Sequence, residues 1–420
     1  MLYRKELMKI ALPAIVENLL QMLMGVVDNY LVAQLGVLAI SGVAVANNIL
    51  AVYQALFIAL AAAISSRLAS QQLTRASIRQ ALSLTFWLST CLGLISMLFS
   101  SQLLGLLGAE KNLSDLGGLY LAIVGGGSFS LAYLTSLGAI LRVKGKVQLP
   151  AYVSLLTNLL NAILSALSVF IFDFGVVGVA ISTVLSRLIG CVILFFFAKL
   201  DLAVLIPELR VSRDFLAQAL PIAGERLMMR LGDVVIVAIV VMLGTKAVAG
   251  NAIGETLTQF NYMPGLGLAT ATVILVAKAK KEEDRSKLKI LIKEAYLLSS
   301  LLMATISGLV WLCGTPLSAA FSQDSAVQSY SSVVLLFSFL GTLATSGTLI
   351  YTAVFQGLGK AKLPFYATSI GMWGIRIGLG YLLALPLGLG LAGVWLATIA
   401  DNIWRFAFLY LKSKTLKKST

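Results

Sequence analysis

The chain alternates between long apolar segments and short polar loops, and this alternation predicts helices that cross a membrane. Cutting the chain at loops rich in Gly, Pro and charge leaves twelve apolar segments. Each is about 20 residues or longer, close to the length that a helix needs to cross roughly 30 Å of hydrocarbon. The predicted spans are residues 10–35, 44–66, 81–104, 118–141, 150–172, 177–198, 215–243, 252–277, 292–313, 329–355, 365–385 and 391–411.

One of these segments occurs twice, at residues 11–36 and 219–244. The coinciding positions are Leu12/Leu220, Pro13/Pro221, Glu17/Glu225, Leu19/Leu227 and Gly36/Gly244. A turn that ends at Pro150 in KGKVQLP also recurs, at Pro364 in LGKAKLP. We therefore expect a tandem duplication of six helices. Because six is even, both copies enter the membrane from the same side, as in transporters built from parallel repeats.

The repeat predicts two lobes joined by a linker. The N-lobe comprises residues 1–200 with helices 1–6, and the C-lobe comprises residues 214–420 with helices 7–12. Residues 201–213, a mixed segment that contains Pro207, form the predicted cytoplasmic linker. The acids differ between the copies, since Asp28 falls on Ile236 and the second copy has its own Asp233.

Composition agrees with a membrane protein. The chain has 420 residues, of which 59% are apolar and 12% charged, and its mean hydropathy is +0.94. Soluble domains are nearer 45–50% apolar and about 25% charged. We therefore predict an all-α polytopic membrane protein in contact with the lipid bilayer.

The net charge of +14 could suggest a nucleic-acid partner, but the positions of the basic residues indicate otherwise. Twenty-five Lys and Arg residues fall at loops on one side, whereas the opposite loops hold Lys111 and Lys246 alone. Cytoplasmic loops are enriched in Lys and Arg, so both termini are predicted to be cytoplasmic. These charges then orient the helices and contact anionic headgroups, and we expect no nucleic acid to bind.

Several reaction classes are excluded by missing residues. The sequence has no His, which removes Ser-His-Asp and Cys-His catalysis and His-ligated metals. No GxxxxGK[ST] phosphate-binding loop occurs, so ATP is not expected to drive the chain directly. The three Cys residues are isolated and are interpreted as packing residues. A membrane-embedded enzyme would need clustered catalytic groups such as DDxxD-type acids, and the sequence has none. The sequence does not exclude a sensor or a scaffold. We expect no enzymatic activity and no cofactor.

Asp28 is the strongest candidate for chemistry. It lies about eighteen residues into the first predicted helix, with no Lys or Arg within one turn. A charge at mid-bilayer costs about 2.5–3.5 kcal/mol on insertion scales, so an acid at this depth is a candidate functional site. Asp28 could bind a proton, or Na⁺ if oxygen atoms surround it. The alternative is a structural acid bonded to a neighbouring hydroxyl.

Polar residues in helices 5 and 6 could complete such a site. Asn158, Asn161 and Ser165 have i, i+3, i+7 spacing and lie on one helical face. Thr183 in helix 6 lies beside two further hydroxyl residues. Amides and hydroxyls around an acid suit a proton or a hard cation, although interhelical hydrogen bonding would explain them almost as well.

Four further acids are candidates for coupling or gating. Glu17 and Glu225 each lie four residues after a Pro, near a helix N-terminus whose dipole favours a carboxylate. Asp233 lies three residues after Arg230, which favours an intrahelical ion pair. Glu255 lies near the outer end of helix 8, where an interfacial role is an alternative.

Aromatic, Met and amide residues supply candidates for a substrate cavity, because they suit amphipathic cations. An interfacial or lipid-facing position is the alternative for each of them. The candidates are Gln21, Tyr30, Tyr53, Phe57, Phe260, Tyr262, Met263 and Trp373.

The two six-helix halves, the helix-1 pattern ALPxxxExLLQxxxGxVDxxxVxxLG and the repeated Gly-Lys turn together resemble the MATE (multidrug and toxic compound extrusion) family of the MOP exporter superfamily. The resemblance covers essentially the whole chain. It implies a V-shaped fold of two lobes that opens alternately to either side. It also implies export of organic cations or amphipathic drugs across the plasma (inner) membrane of a bacterium in exchange for H⁺ or Na⁺.

The resemblance also assigns residues. The family's N-lobe cation site corresponds to Asp28, Asn161 and Thr183, and the Pro at which helix 1 bends in some members corresponds to Pro13. Ser165 stands where many members have a second Asp, which makes H⁺ a better expectation than Na⁺ at Asp28. The Glu of the C-lobe site in NorM-type members falls at Met229, so that site is not assigned here.

The function expected from the sequence is therefore H⁺-coupled antiport of small organic cations by a monomeric protein. Protonation of Asp28 from outside would release the substrate outward. Within the same superfamily, export or flipping of lipid-linked or peptide cargo is the alternative.

Overall fold

The computed structural model describes residues 2–35, 37–70, 74–106, 111–208 and 212–416, and within these ranges every regular element is helical. The first half contains seven α-helices. They are α1 (Leu2–Ala33), α2 (Val37–Ser70), α3 (Arg75–Leu106), α4 (Lys111–Gly126), α5 (Ser128–Val143), α6 (Leu149–Phe170) and α7 (Gly175–Ala198). A short 3₁₀ helix, Leu202–Leu205, follows α7.

The second half repeats the pattern with more interruptions. Its helices are α8 (Arg213–Val241), α9 (Thr245–Lys281), α10 (Arg285–Leu312), α11 (Gly314–Ala319), α12 (Ser325–Gly357), α13 (Lys362–Ser369), a π-helix (Ile370–Ile377), α14 (Gly378–Ala384) and α15 (Gly390–Leu416). Proline lies inside three of them, at Pro13 in α1, Pro221 in α8 and Pro264 in α9. Each removes a backbone donor from its helix.

Each of the twelve predicted spans coincides with one or more of these helices, although α1, α2, α3, α4, α9 and α10 begin six to eight residues earlier than predicted. The fourth span is divided at Gly127 into α4 and α5, and the eleventh comprises α13, the π-helix and α14. Within the described ranges, eight spans are long and apolar enough to cross a membrane by length and composition. The remaining four predicted spans lie in α1, in α8, in the α13–α14 segment and in α15.

The Gly-Lys turn has the same backbone geometry in both halves. Gly145 has φ +87° and Gly359 has φ +73°, a conformation that favours glycine. The next residue donates its N–H to a carbonyl five residues earlier in each case, Lys146 to Leu141 at 2.9 Å and Lys360 to Phe355 at 2.8 Å. Both helices therefore end in a Schellman motif.

The linker lies along α3. Arg75 Nη2 and Asp201 Oδ2 are 2.6 Å apart, and the Glu208 N–H donates to Ser83 Oγ at 2.8 Å. Trp87 Nε1 donates to the Glu208 carbonyl oxygen at 3.0 Å. Residues 201–208 of the predicted linker are thus bound to α3 of the first half.

The helices form two compact units. One comprises Met1–Ile15 with Leu220–Thr420, and the other comprises Val16–Ala219. These units follow spatial proximity, whereas the predicted lobes follow the sequence repeat, so the lobe boundaries remain a prediction.

Candidate functional site

Asp28 contacts the polar face of α6. Its side chain is 8% exposed, and its Oδ1 accepts a hydrogen bond from Asn161 Nδ2 at 2.7 Å. Ser165 Oγ donates to Asn161 Oδ1 at 3.4 Å. Asn161 and Ser165 are both fully buried. Three of the predicted site residues are thus adjacent, in a chain of two hydrogen bonds that begins at the carboxylate.

Asn158 belongs to the same helix but lies outside this chain of hydrogen bonds. Its Nδ2 is buried and has no partner among the described residues. Since a buried amide hydrogen without a partner is costly, we expect a water molecule or a bound ligand to contact it. The predicted role of Asn158 at the cation site remains a prediction.

α7 supplies Thr183 and an unpredicted cation. Thr183 is buried, donates to the Val179 carbonyl oxygen at 2.9 Å and is hydrogen-bonded to Tyr120 of α4. One turn further along α7, Arg187 lies near enough to Asp28 and Tyr120 to interact with both electrostatically. The site therefore contains a carboxylate and a guanidinium.

Apolar packing fixes the helices that carry these groups. Val32, one turn after Asp28 in α1, shares a buried cluster with Tyr120 of α4 and with Val179 and Ala180 of α7. Residues 179, 183 and 187 follow i, i+4, i+8 spacing and lie on one face of α7. The packing of Val179 therefore directs Thr183 and Arg187 toward α1 and α4.

Glu17, the first coupling candidate, is in an ion pair. Its carboxylate accepts from Arg142 Nη2 of α5, and both side chains are largely buried. Arg142 is one of the twenty-five cations that the sequence analysis assigns to loops on one side, and this assignment is wrong because Arg142 is the penultimate residue of α5 and is buried. Pro13 lies one turn earlier in α1.

Glu225, the equivalent acid of the second half, has a neutral partner. Gln356 Nε2 of α12 donates to Glu225 Oε2 at 3.2 Å, and Thr368 of α13 is also hydrogen-bonded to this carboxylate. All three residues are buried. The two halves thus present the same acid to different partners.

A buried ion pair lies nearby in α15. Arg405 Nη2 donates to Asp401 Oδ2 at 2.8 Å and to Asn402 Oδ1 at 3.1 Å. The second oxygen of this carboxylate, Asp401 Oδ1, is buried without a partner among the described residues. It faces Gly371 of the π-helix, where a β-carbon would lie 2.1 Å from it. Only glycine therefore fits at this position of the π-helix.

The other two acidic candidates are held by side chains of the second half. Asp233 Oδ2 lies 4.0 Å from Arg230 Nη1, in the intrahelical ion pair that the sequence predicts. Asp233 Oδ1 also lies 3.6 Å from Arg376 Nη1 of the π-helix. Glu255 accepts from Asn251 Nδ2 at 3.1 Å, and Asn251 Oδ1 accepts from Trp395. Their coupling roles remain predictions.

The cavity candidates have different surroundings. Tyr53 and Phe57 are buried in an apolar cluster with Ala132, and Tyr53 Oη lies 2.8 Å from Ser96 Oγ. The structure therefore gives these two a packing position, and a cavity role for them remains a prediction. Tyr30, Phe260 and Trp373 are exposed, whereas Gln21, Tyr262 and Met263 are partly buried.

The sequence analysis did not identify Arg187, Tyr120 or Gln356 as site residues. Arg187 does carry a signal in the sequence, because any ionisable residue inside an apolar helix marks a candidate site. Tyr120 and Gln356 carry no such signal, since each acts through a contact with another helix.

The long apolar helices of the described ranges support a multi-pass membrane protein. A model of the MatE family matches residues 13–167 and 221–382. The chain belongs to this family, and the resemblance to MATE transporters is confirmed.

Similar proteins are known over nearly the full length. "Probable multidrug resistance protein NorM" of Thermotoga maritima is 28% identical, covering 96% of this chain and 90% of that protein. "Uncharacterized transporter YisQ" of Bacillus subtilis is 27% identical, and the match covers 96% of this chain and 93% of that protein. A solved structure described as the outward-facing conformation of a multidrug resistance MATE family transporter has a TM-score of 0.87 at 21% identity. The match covers 99% of this chain and 97% of that one. The predicted all-α fold of twelve membrane helices is thereby confirmed.

Proposed function

We propose that the protein is an antiporter that exports organic cations or amphipathic drugs by alternating access, with H⁺ as the coupling ion and Asp28 as the residue that carries it. The name of the Thermotoga maritima relative supports this substrate class. The observation that carries the proposal is the buried Asp28 carboxylate, which is hydrogen-bonded by the Asn161 amide. A membrane-embedded acid with a neutral hydrogen-bond partner is suited to exchanging a proton.

The chemistry around Asp28 favours H⁺ over Na⁺. A hard cation prefers a cage of oxygen ligands, but Asn161 presents its NH₂ group to the carboxylate and its oxygen to Ser165. Arg187 adds a positive charge near the same carboxylate. A metal cation would have to displace the amide donor and lie close to a guanidinium, whereas a proton requires neither.

The proposed cycle follows from the charge on Asp28. In the inward-open state the ionised carboxylate is present while the substrate binds. Protonation from outside neutralises Asp28, and the local charge becomes more positive because Arg187, which forms no ion pair with Asp28 among the described residues, keeps its charge. α1 then rearranges near Pro13, where the helical hydrogen-bond ladder lacks a donor, and the affinity for a cationic substrate falls. The substrate leaves outward, and proton release to the cytoplasm resets the site.

We also propose the setting in which this cycle operates. The protein acts as a monomer in a bacterial plasma membrane, with both termini in the cytoplasm because the basic loops lie on that side. The relatives above are named as a resistance protein and a transporter, which supports transport and not an enzymatic reaction.

The test is efflux of ethidium from proteoliposomes under a pH gradient and, separately, a Na⁺ gradient. We expect the pH gradient alone to drive efflux and Asp28→Asn to abolish it. Asp173→Asn is the matched control, because Asp173 lies in an exposed loop and Asn tolerates its positive φ of 52°. Efflux driven by Na⁺ with Asp28→Asn still coupled would refute the proposal. No efflux under either gradient would count against ethidium-like substrates and favour lipid-linked or peptide cargo.

A further inference from the structure

The repeat places one acid and one partner at equivalent positions in each half. Glu17 and Glu225 each lie four residues after the shared proline. Arg142 and Gln356 each lie three residues before the glycine of the repeated turn, and each carbonyl accepts from that glycine, at 3.1 and 3.0 Å. Duplication therefore preserved the acid and its contact, while the partner differs.

In the first half the contact is an ion pair that compensates both charges. The Glu17 and Arg142 side chains are 13% and 10% exposed. Protonation of Glu17 would leave the Arg142 guanidinium buried without a counter-charge, which is strongly unfavourable. This pair is therefore suited to holding α1 against α5 and not to exchanging protons.

In the second half the partner is an amide, which can satisfy either form of the acid. Gln356 carries both an NH₂ donor and a carbonyl acceptor. Glu225 Oε2 accepts from the NH₂ group, which suits the ionised acid, and a protonated Glu225 could donate to the carbonyl oxygen after the amide rotates. The Thr368 hydroxyl can likewise donate or accept. No partner in this group requires Glu225 to stay charged.

Charged groups also surround Glu225, and none of the described residues forms an ion pair with it. Arg226 is its neighbour on α8, and Arg405 on α15 is near enough to interact electrostatically. Arg405 is hydrogen-bonded to Asp401 and Asn402, so its charge is compensated whatever the state of Glu225. Arg405 can therefore attract the ionised form of Glu225 without being left unpaired when Glu225 is protonated. Arg226 forms no ion pair with Glu225 among the described residues, and its Nε is buried there without a hydrogen-bond partner.

We propose that Glu225 is a second proton-binding site, located in the second half of the chain. It can bind a proton because its partner is Gln356, whereas the equivalent partner in the first half is Arg142. A proton from water binds one carboxylate oxygen when the site is open to that water, and it leaves to water when the site opens again. The site would bind a proton whether or not Asp28 couples transport, so the complete protein can bind one proton in each half.

The experiment is a pH titration of the full-length protein in lipid nanodiscs, followed by the infrared C=O stretch of protonated carboxyl groups. We expect Glu225→Gln to lose part of the wild-type signal. Gln356→Arg should lose the same part, since it installs the ion pair of the first half. The matched control is the double variant Glu17→Gln/Arg142→Gln. It creates a Gln–Gln contact in the first half, as Glu225→Gln does in the second, and it should keep the whole signal.

Two results would overturn this assignment. One is a Glu225→Gln spectrum identical to that of the wild type, and the other is loss of signal in the Glu17→Gln/Arg142→Gln control. If Gln356→Arg does not fold, the comparison of Glu225→Gln with the control still decides. Asp28→Asn should retain the Glu225 signal, so a failure of Asp28 in the efflux assay and a failure of Glu225 here are separate outcomes.

Discussion

Removing one member of the Glu17–Arg142 pair should destabilise the protein, and removing both should be much less harmful than the two separate losses imply. Breaking a buried ion pair costs about 3–5 kcal/mol because a charge is left uncompensated. Since each side chain here retains roughly a tenth of its exposure, we take the lower end, about 3 kcal/mol, for Arg142→Gln and for Glu17→Gln.

The double variant should cost no more than about 3 kcal/mol, because two amides can hydrogen-bond to each other and no charge remains. Together with single losses of about 3 kcal/mol each, that corresponds to a coupling energy of at least about 3 kcal/mol, at the upper end for residues in contact. The free energy of unfolding can be measured by titration with SDS in mixed micelles, followed by circular dichroism. Single variants that each cost less than about 1 kcal/mol, as exposed pairs do, or costs that simply add, would refute the reasoning.

Two other substitutions test contacts within single units. Arg187→Met should make ethidium efflux respond to a Na⁺ gradient, because a metal cation at Asp28 would no longer be repelled by the guanidinium. Arg187→Lys is the control that keeps the positive charge. An unchanged Na⁺ response in Arg187→Met would contradict the prediction. Gly267→Ala should destabilise the protein by about 1–3 kcal/mol, because its β-carbon would lie 2.3 Å from Ile15 Cγ1 and 2.9 Å from the Ile15 nitrogen. At Gly105, by contrast, no atom of the described residues lies within 4 Å of the position of a β-carbon. Gly105→Ala should therefore cost nothing in the same SDS titration, and equal costs for the two variants would disprove the close contact at Gly267.

The helices could be predicted from the sequence because a membrane span is a property of one continuous segment. Hydropathy averages over a window, however, so it does not detect the break at Gly127 between α4 and α5. The π-helix at 370–377 was also not predicted. Gly371 meets Asp401 of α15 there, and a contact with a residue 30 positions later leaves no local pattern.

The candidate site was predictable only where one helix supplied the pattern. The spacing of Asn161 and Ser165 showed that they share a face, and Asp28 was identified as an acid in an apolar helix. Partnerships between helices were not predictable in this way. Arg142 looks like a loop cation in the sequence because it lies next to a turn, and its pairing with Glu17, 125 positions away, depends on the packing of α5 against α1.

The peptide chain passes from one compact unit to the other inside a helix, between Ile15 and Val16 in α1 and between Ala219 and Leu220 in α8. The linker is therefore not the point at which the units are joined. A gene divided within the linker would encode two fragments, neither of which holds a complete unit. The first fragment would carry the opening of α1 that belongs with the second, and the second would carry the opening of α8 that belongs with the first. Such fragments should accumulate only when both are produced in the same cell.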